Sequence, residues 1–455
     1  MAADQLPFRC AEAGGEDDVD HLLGRDEPPA GQTLPRAGDP NPFVRFRQLL
    51  YSWELARWRG MSDDAYVELV RALDAEVARV DDRGFTITPY GPHEDLAGAI
   101  DLSGGLWIKN ETANVSGSHK ARHLMGIGLY LAVADATGLS GGAERSLAIA
   151  SCGNAALAAA VVARAANRPL QVFVPPSVDT GVAQRLEQLG ADLVSCERRS
   201  SDPPGDPCYL RFLEAVSAGA LPFACQGNQN GLTIEGGMTL GFELATQHAA
   251  GGWAALDRLL LQIGGGALAS ATIQALRWAH AGQLIDRLPA IHAVQTESAH
   301  PIVDAWRRVA SDIERRLVAA GVPKPTSDSD AERARWIFVH RDSSSVDAAL
   351  RHAALHRSQY MKPIKTPPHS IASGILDDET YDWHQVVRGM IETGGWPVVV
   401  SEDNLARARD LGRADAKIDV CATGASGLAG LLTLLDTDEI PRTDRVAVLF
   451  TGVQR

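Results

Sequence analysis

Between residues 106 and 195 short apolar runs alternate with longer helical patterns. Strand-length runs stand at 106–109, 146–150, 170–174 and 192–195. Between them, residues 120–137, 154–166 and 180–189 have helical length and spacing. Gly190 closes the last of these as a helix-ending glycine does. Strands alternating with helices of this size predict parallel α/β layers joined by right-handed crossovers. A second block predicts helices at 239–249 and 268–281 and strands at 258–263 and 290–296. Later strands are expected at 396–401, 420–421 and 446–450. Upstream, 43–58 and 63–80 read as helices, the second capped by Ser62 with Asp63 and Asp64 in its first turn. Residues 84–89 read as a short strand ended by Pro89. Residues 1–40, rich in Gly, Pro and Asp and without a period, predict an extended arm, and 307–360 a charged, mostly helical covering layer.

Composition narrows this picture. A chain of 455 residues has room for two to four domains. With 45% hydrophobic and 22% charged residues it reads as globular rather than disordered. The net charge of −14 implies no basic face, which disfavours nucleic-acid binding. The longest apolar stretch, 147–163, is interrupted by Ser151, Cys152, Gly153 and Asn154, short of the roughly 20 residues that span a bilayer. Met1-Ala-Ala-Asp-Gln is not followed by the basic patch and apolar core of a signal peptide, so a cytoplasmic location is expected. The six cysteines form no CxxC pair, and no metal site is expected.

Four strand-to-helix turns carry candidate chemistry. Ser116-Gly-Ser-His-Lys-Ala-Arg opens a helix with Lys120 at its start, where positive dipole potential favours a neutral, nucleophilic amine. Read alone, Lys120 is first of all an ordinary surface lysine in a first turn; that only six of the 43 basic residues are lysines raises its standing slightly. Ser151-Cys-Gly-Asn-Ala offers helix-start amides to a carboxylate or phosphate, or else Asn154 is a plain N-cap. Gln262-Ile-Gly-Gly-Gly-Ala-Leu lets the backbone close on a phosphate, or is only a tight turn; it fits neither GxGxxG nor the P-loop. Cys421-Ala-Thr-Gly-Ala-Ser presents the hydroxyls of Thr423 and Ser426, either of which could be a cap. All four lie at or just beyond the carboxyl ends of expected parallel strands, where open α/β sheets bind ligands.

The order of these turns resembles the fold-type II pyridoxal-phosphate enzymes, the tryptophan synthase β-subunit superfamily. Threonine synthase-like proteins and serine/threonine dehydratases are the most similar members. The resemblance covers about residues 80–455. It implies that Lys120 is the cofactor-bearing lysine. Ser151, Cys152, Gly153, Asn154 and Ala155 would hold the substrate carboxylate, with Asn154 also facing the cofactor's phenolic oxygen. Gly264, Gly265, Gly266 and Ala267 would hold the phosphate, and Thr423 the pyridine nitrogen. Glu235-Gly-Gly-Met-Thr, Val294-Gln-Thr-Glu, Ser370-Ile-Ala and Thr451-Gly add to the likeness. Residues 41–50 resemble the segment leading into threonine synthases, and Phe8-Arg-Cys resembles a zinc-ribbon remnant without partner cysteines. Three positions depart from common patterns: His119 where dehydratases often carry Phe, Ala121 where many synthases carry Asp, and Ala267 for a fourth loop glycine.

The expected fold is therefore α/β, with two open parallel-sheet domains, helices on both faces and pyridoxal phosphate between them. Residues 1–80 would form an arm and helical extension, 81–115 with 231–455 a large cofactor-binding domain, and 116–230 a small mobile one. The expected function is β-elimination on a hydroxy- or O-activated amino acid, with threonine synthase-like replacement as the alternative. The expected partners are a small amino-acid substrate and a second copy of the chain. Two readings of another class stay open. A nicotinamide-dependent oxidoreductase needs an acidic residue about 20 positions beyond the glycines, and Asp286 is the one available, with no strand end beside it. A non-catalytic pseudoenzyme would keep the fold without the chemistry.

Overall fold

The structure is a computed structural model that describes all residues except 1–7, 14–16, 26, 27, 30, 32, 140–144, 204, 326 and 455. Its strands are β1 (Tyr90–Pro92), β2 (Leu106–Asn110), β3 (Leu147–Ala150), β4 (Leu170–Val174), β5 (Asp192–Ser195), β6 (Leu221–Pro222), β7 (Arg258–Gln262), β8 (Ala290–Thr296), β9 (Val398–Val400) and β10 (Val446–Phe450). The chain divides into two compact units.

The first unit comprises Met1–Cys10, Leu23–Thr88 and Ala113–Thr246. Its sheet is parallel throughout, in the order β5-β4-β3-β6. The helix Asn154–Ala165 is mostly Ala and Val, and these short side chains let it lie close to its neighbours. It meets the helices Lys120–Ala136 and Asp63–Asp81 around Gly128, where an added Cβ would stand 3.1 Å from Val162 and 3.8 Å from Leu73. Ser62 caps Asp63–Asp81 by accepting the Ala65 N–H, as expected from the sequence. The pattern at 43–58 is not one helix: Leu50, in extended conformation, separates Arg47–Leu49 from Tyr51–Trp58.

The second unit comprises Ala11–Leu22, Pro89–Thr112 and Gln247–Arg455. Its six strands run β1-β2-β10-β7-β8-β9, all parallel except the edge strand β1. The core strand β10 (Val-Ala-Val-Leu-Phe) is wholly buried, the near-continuous apolar run of a strand covered on both faces. The helices Ala267–Ala281 and Ala422–Asp436 follow its sheet. The charged 307–360 stretch is mostly helical as expected: Pro301–Ala319 carries Asp330–Val339, Ser344–Leu355 and Arg357–Tyr360.

Two expected strands are corrected. Residues 84–89 form no ladder, because their donors are spent elsewhere. The Phe85 N–H goes to the Asp74 carboxylate, Ile87 N–H to the Pro40 carbonyl and Thr88 N–H to the Glu243 carboxylate. Residues 420–421 make only a single bridge, Val420 to Val453, before the helix begins at Ala422. The N-terminal arm has no helix or strand among its described residues up to Asn41. Phe8 is nonetheless buried against the edge of Tyr130 in the first unit, and the Asp18 carboxylate takes two hydrogen bonds from Ser358 in the second.

Candidate active site

In the first unit, the loop before Lys120 is locked by local geometry. The Asn114 side chain accepts the Val115 N–H. Ser116 and Gly117 then take left-handed conformations, φ 52° and 62°. For Ser116 this is a strained choice, held by its N–H donating to Asp81 at 2.7 Å. The chain extends through Ser118 and the helix starts at Lys120, which is half-buried in the first turn. The Ser118 hydroxyl, two residues earlier, is fully buried and has no hydrogen-bond partner among the described residues. An unmatched polar atom at such a place marks ground prepared for a ligand or an ordered water.

The turn after Lys120 is anchored by charge. Arg122 donates to Glu243 at 2.6 Å, to Thr239 Oγ1 at 3.1 Å and to Thr88 Oγ1 at 3.2 Å. The second Glu243 oxygen takes both the N–H and the hydroxyl of Thr88. Neither charged side chain reaches solvent. The Glu235-Gly-Gly stretch explains itself here, since a Cβ on Gly236 would collide with the Arg122 carbonyl. One turn on, His123 Nδ1 lies 2.7 Å from the Thr233 carbonyl, which can only accept, so Nδ1 carries the proton. Burial first, and the nearby Lys120 charge second, push the His123 pKa down to about 3, leaving a neutral ring.

The second expected turn follows β3. Gly153 precedes the helix Asn154–Ala165 without any side-chain cap. Asn154 is thus the first helical residue, not the N-cap, and the capping reading is corrected. Ser151, Gly153, Asn154 and Ala155 are half-buried and Cys152 is exposed. First-turn amides of such a helix point out of its N-terminus.

In the second unit, β7 leads through Ile263 into Gly264, Gly265 and Gly266, the last at φ 97°, and then the helix from Ala267. The glycines are needed on two counts. A Cβ on Gly264 would run into the Asp377 carboxylate, and one on Gly265 or Gly266 would stand 2.8–2.9 Å from Tyr381 or Thr380. The Gly265 carbonyl is turned away to accept the Asp382 N–H. The amides of Gly265, Gly266, Ala267 and Leu268 donate to nothing among the described residues. Four open amides at a helix start suit an anion with several oxygens, so this loop fits a phosphate. Behind it, the buried Gln295 donates to the Ile263 carbonyl and to Thr380 Oγ1.

Thr423 is the second residue of the helix Ala422–Asp436, whose cap is the Cys421 sulfur accepting the Gly424 N–H at 3.2 Å. The reading of Thr423 as the cap is therefore corrected. Its hydroxyl instead accepts the Gly374 N–H at 3.1 Å, which leaves its proton to donate to a ligand. Ser426 spends its hydroxyl on the Ala422 carbonyl. Gln262 was not singled out from the sequence as a site residue; its side-chain nitrogen reaches Gly424 O at 2.8 Å and Thr451 Oγ1 at 2.7 Å. The signal was one amide inside the apolar run Leu259-Leu-Leu-Gln-Ile. Lys109, the lysine that precedes Lys120 in the chain, is fully buried and donates to Gln247 at 2.8 Å.

A cavity of about 400 Å³ lies elsewhere in this unit, lined by Asp304, Arg307, Arg308, Ser311, Arg315, Gln359 and Tyr360. Its arginines are matched by Asp330, Asp304 and Asp312, and none of the four turns contributes to it. No described helix is long and apolar enough to cross a membrane.

Comparison with known proteins gives the family. Residues 82–356 match the family described as pyridoxal-phosphate dependent enzyme. The threonine synthase of Methanocaldococcus jannaschii is 24% identical over 76% of this chain and 69% of its own length. Among solved structures, the processed form of threonine deaminase isoform 2 from Solanum lycopersicum matches with TM-score 0.57 and 14% identity over 87% of this chain and 86% of its own. The diaminopropionate ammonia lyase of Escherichia coli matches with TM-score 0.57 and 15% identity over 86% of this chain and 89% of its own. At such identities these two structures speak for the fold. The family match, which spans more than half of the chain, sets the nicotinamide reading aside. The chain is a pyridoxal-phosphate dependent enzyme of fold type II.

Proposed function

We propose that the protein is a lyase that eliminates a β-hydroxyl or O-activated β-substituent from an amino acid and releases ammonia. Pyridoxal phosphate, when bound, supplies the electron sink for charge left at Cα. The chain's own residues do the rest. Lys120 would carry the cofactor and then, as a free amine, take the Cα proton and return it to the departing β-oxygen, so that water leaves. The turn Ser151, Cys152, Gly153, Asn154 and Ala155 binds the substrate carboxylate by backbone N–H groups, and Asn154 also faces the ring oxygen. Gly264, Gly265, Gly266 and Ala267 hold the phosphate through the loop amides. Thr423 donates its hydroxyl proton to the ring nitrogen.

The observation that carries elimination is the neutral hydroxyl at Thr423, already accepting the Gly374 N–H and so oriented to donate. A neutral hydroxyl, unlike a carboxylate, would not stabilise a protonated ring nitrogen. Such a contact at Thr423 would favour loss of a β-substituent over transamination. A carboxylate would do the reverse. Thr423→Asp is expected to lower elimination at least about tenfold, one 1.4 kcal/mol step in barrier, with cofactor retention less affected and side transamination increased. Rates of 2-oxo acid release and the bound-cofactor spectrum check it; full activity with an unchanged spectrum would remove Thr423 from the ring nitrogen. Capping does not confuse the test, because Cys421 is the cap.

The phosphate assignment has its own test. Gly265→Val places a branched side chain against Tyr381, whose ring lies 2.8 Å from the Cβ position, and shifts the loop. Cofactor retention on dialysis should fall at least about tenfold while far-ultraviolet circular dichroism stays unchanged. Undiminished retention would mean that the glycines serve only to turn the chain.

Threonine synthase-like replacement is the second reading, favoured by the sequence likeness to two archaeal threonine synthases, each 24% identical. A panel of serine, threonine, their O-activated forms and a γ-activated amino acid separates the two. Elimination gives 2-oxo acid and ammonia from the β-substituted substrates. Turnover of the γ-activated substrate alone, without ammonia, would replace the lyase reading by the synthase one.

A further inference from the structure

We infer that Gln262 is a positioning residue that fixes the Thr423 hydroxyl at a set distance from the phosphate loop, an inference resting on the reading of Thr423 given above. Gln262 is the last residue of β7, two before Gly264, and is 3% exposed. Its side-chain nitrogen has two protons and two short acceptors, Thr451 Oγ1 at 2.7 Å and Gly424 O at 2.8 Å. Thr423 O and Leu449 O stand behind them at 3.3 Å. Three of these four acceptors are carbonyls, so the amide can be oriented only one way.

The other end of the same group shows that packing alone does not explain it. Gln262 Oε1 is buried and has no hydrogen-bond partner among the described residues. It faces Gly427, where an added Cβ would lie 3.2 Å away. A buried acceptor left unmatched carries a desolvation cost that an apolar residue would not. The preceding residues of the strand, Leu259, Leu260 and Leu261, are all apolar and fully buried. What the amide gains is a junction. One N–H holds the first turn of the helix that bears Thr423, the other holds the end of β10, and its own strand runs straight into the glycine loop. β10 closes the arrangement from its side, with Cys421 N–H donating to Gly452 O and Thr451 N–H to Gly424 O.

The distance matters because a cofactor's ring nitrogen and its phosphate are separated by a fixed covalent framework. Both contacts form together only if Thr423 and Gly264–Ala267 keep the matching separation. Without the amide, the helix start can shift along β10 while each contact group stays intact.

The test is Gln262→Met, which keeps the length and removes both N–H groups, compared with Thr423→Val and the double variant. Readouts are the absorption band of bound cofactor across pH, its retention on dialysis, and the melting temperature. Gln262→Met is expected to move the band in the same direction as Thr423→Val, and the double variant to move it no further. Retention should fall about 10- to 100-fold, by analogy with residues that orient metal ligands. A lower melting temperature with wild-type band and retention would make Gln262 a core residue only. If Gln262→Met does not fold, Thr451→Val, which removes one of the two short acceptors, should give a smaller shift of the same sign, and an unmoved band there overturns the inference. If Thr423→Val shifts the band and Gln262→Met does not, the positioning role fails alone. If Thr423→Val itself leaves the band unchanged, the Thr423 reading fails and the inference with it.

Discussion

Lys120→Ala is expected to give a folded protein that no longer carries its cofactor covalently and whose turnover is lower by at least about 10²–10⁴-fold, the range of one positioned proton-transfer group. The fold should survive because Lys120 is half-buried and does not hold its own helix in place. That is done before it by the Ser116 N–H on Asp81 and after it by Arg122 on Glu243. Spectroscopy of the purified variant with added pyridoxal phosphate, alongside the substrate panel, checks both parts. A variant that kept the wild-type cofactor band would assign the attachment to another lysine. Lys109 is a poor replacement, being buried with its amine on Gln247.

The second large effect is on stability. The Arg122–Glu243 pair is closed to water and wired to Thr88 and Thr239. Removing one partner of such a pair leaves a buried charge uncompensated, at a cost of about 3–5 kcal/mol. Arg122→Met and Glu243→Leu, each alone, should therefore lower the melting temperature by about 6–20 °C, taking roughly 2–4 °C per kcal/mol for a domain of about 200 residues. The double variant should recover much of the loss, since apolar replacement of a whole buried pair is often nearly neutral. Single variants within a degree or two of wild type would show that the pair does not clamp the turn that follows Lys120.

How much of this was legible in the sequence depends on how far away the partners lie. The strands Ala290–Thr296 and Val446–Phe450 fall at their expected bounds; the second is a continuous apolar run, as a buried parallel strand is, whereas the first carries the buried polar residues His292, Gln295 and Thr296. The helix starts at Lys120, Asn154 and Ala267 were also visible, within a residue, from small-residue turns that follow strands. Residues 84–89 misled because their apparent alternation said nothing about their donors, which go to Asp74, Pro40 and Glu243, the last 155 residues away. Thr423 looked like a cap because threonine is a favoured one, whereas a cysteine two residues earlier does the capping. Gln262 was invisible as a junction because its acceptors lie 161 to 189 residues downstream. Spacing along a chain reports the neighbours within a turn or a strand; a side chain that joins three distant segments leaves only an odd polar letter.

The attachment point of the cofactor decides the account. Purified protein loaded with pyridoxal phosphate is reduced with borohydride, digested, and searched by mass spectrometry for the pyridoxyl-modified lysine. The modification is expected on Lys120, in the peptide that contains Ser116-Gly-Ser-His. Modification at Lys109 or any of the other four lysines instead, or no modification in a protein that retains the cofactor, would contradict it.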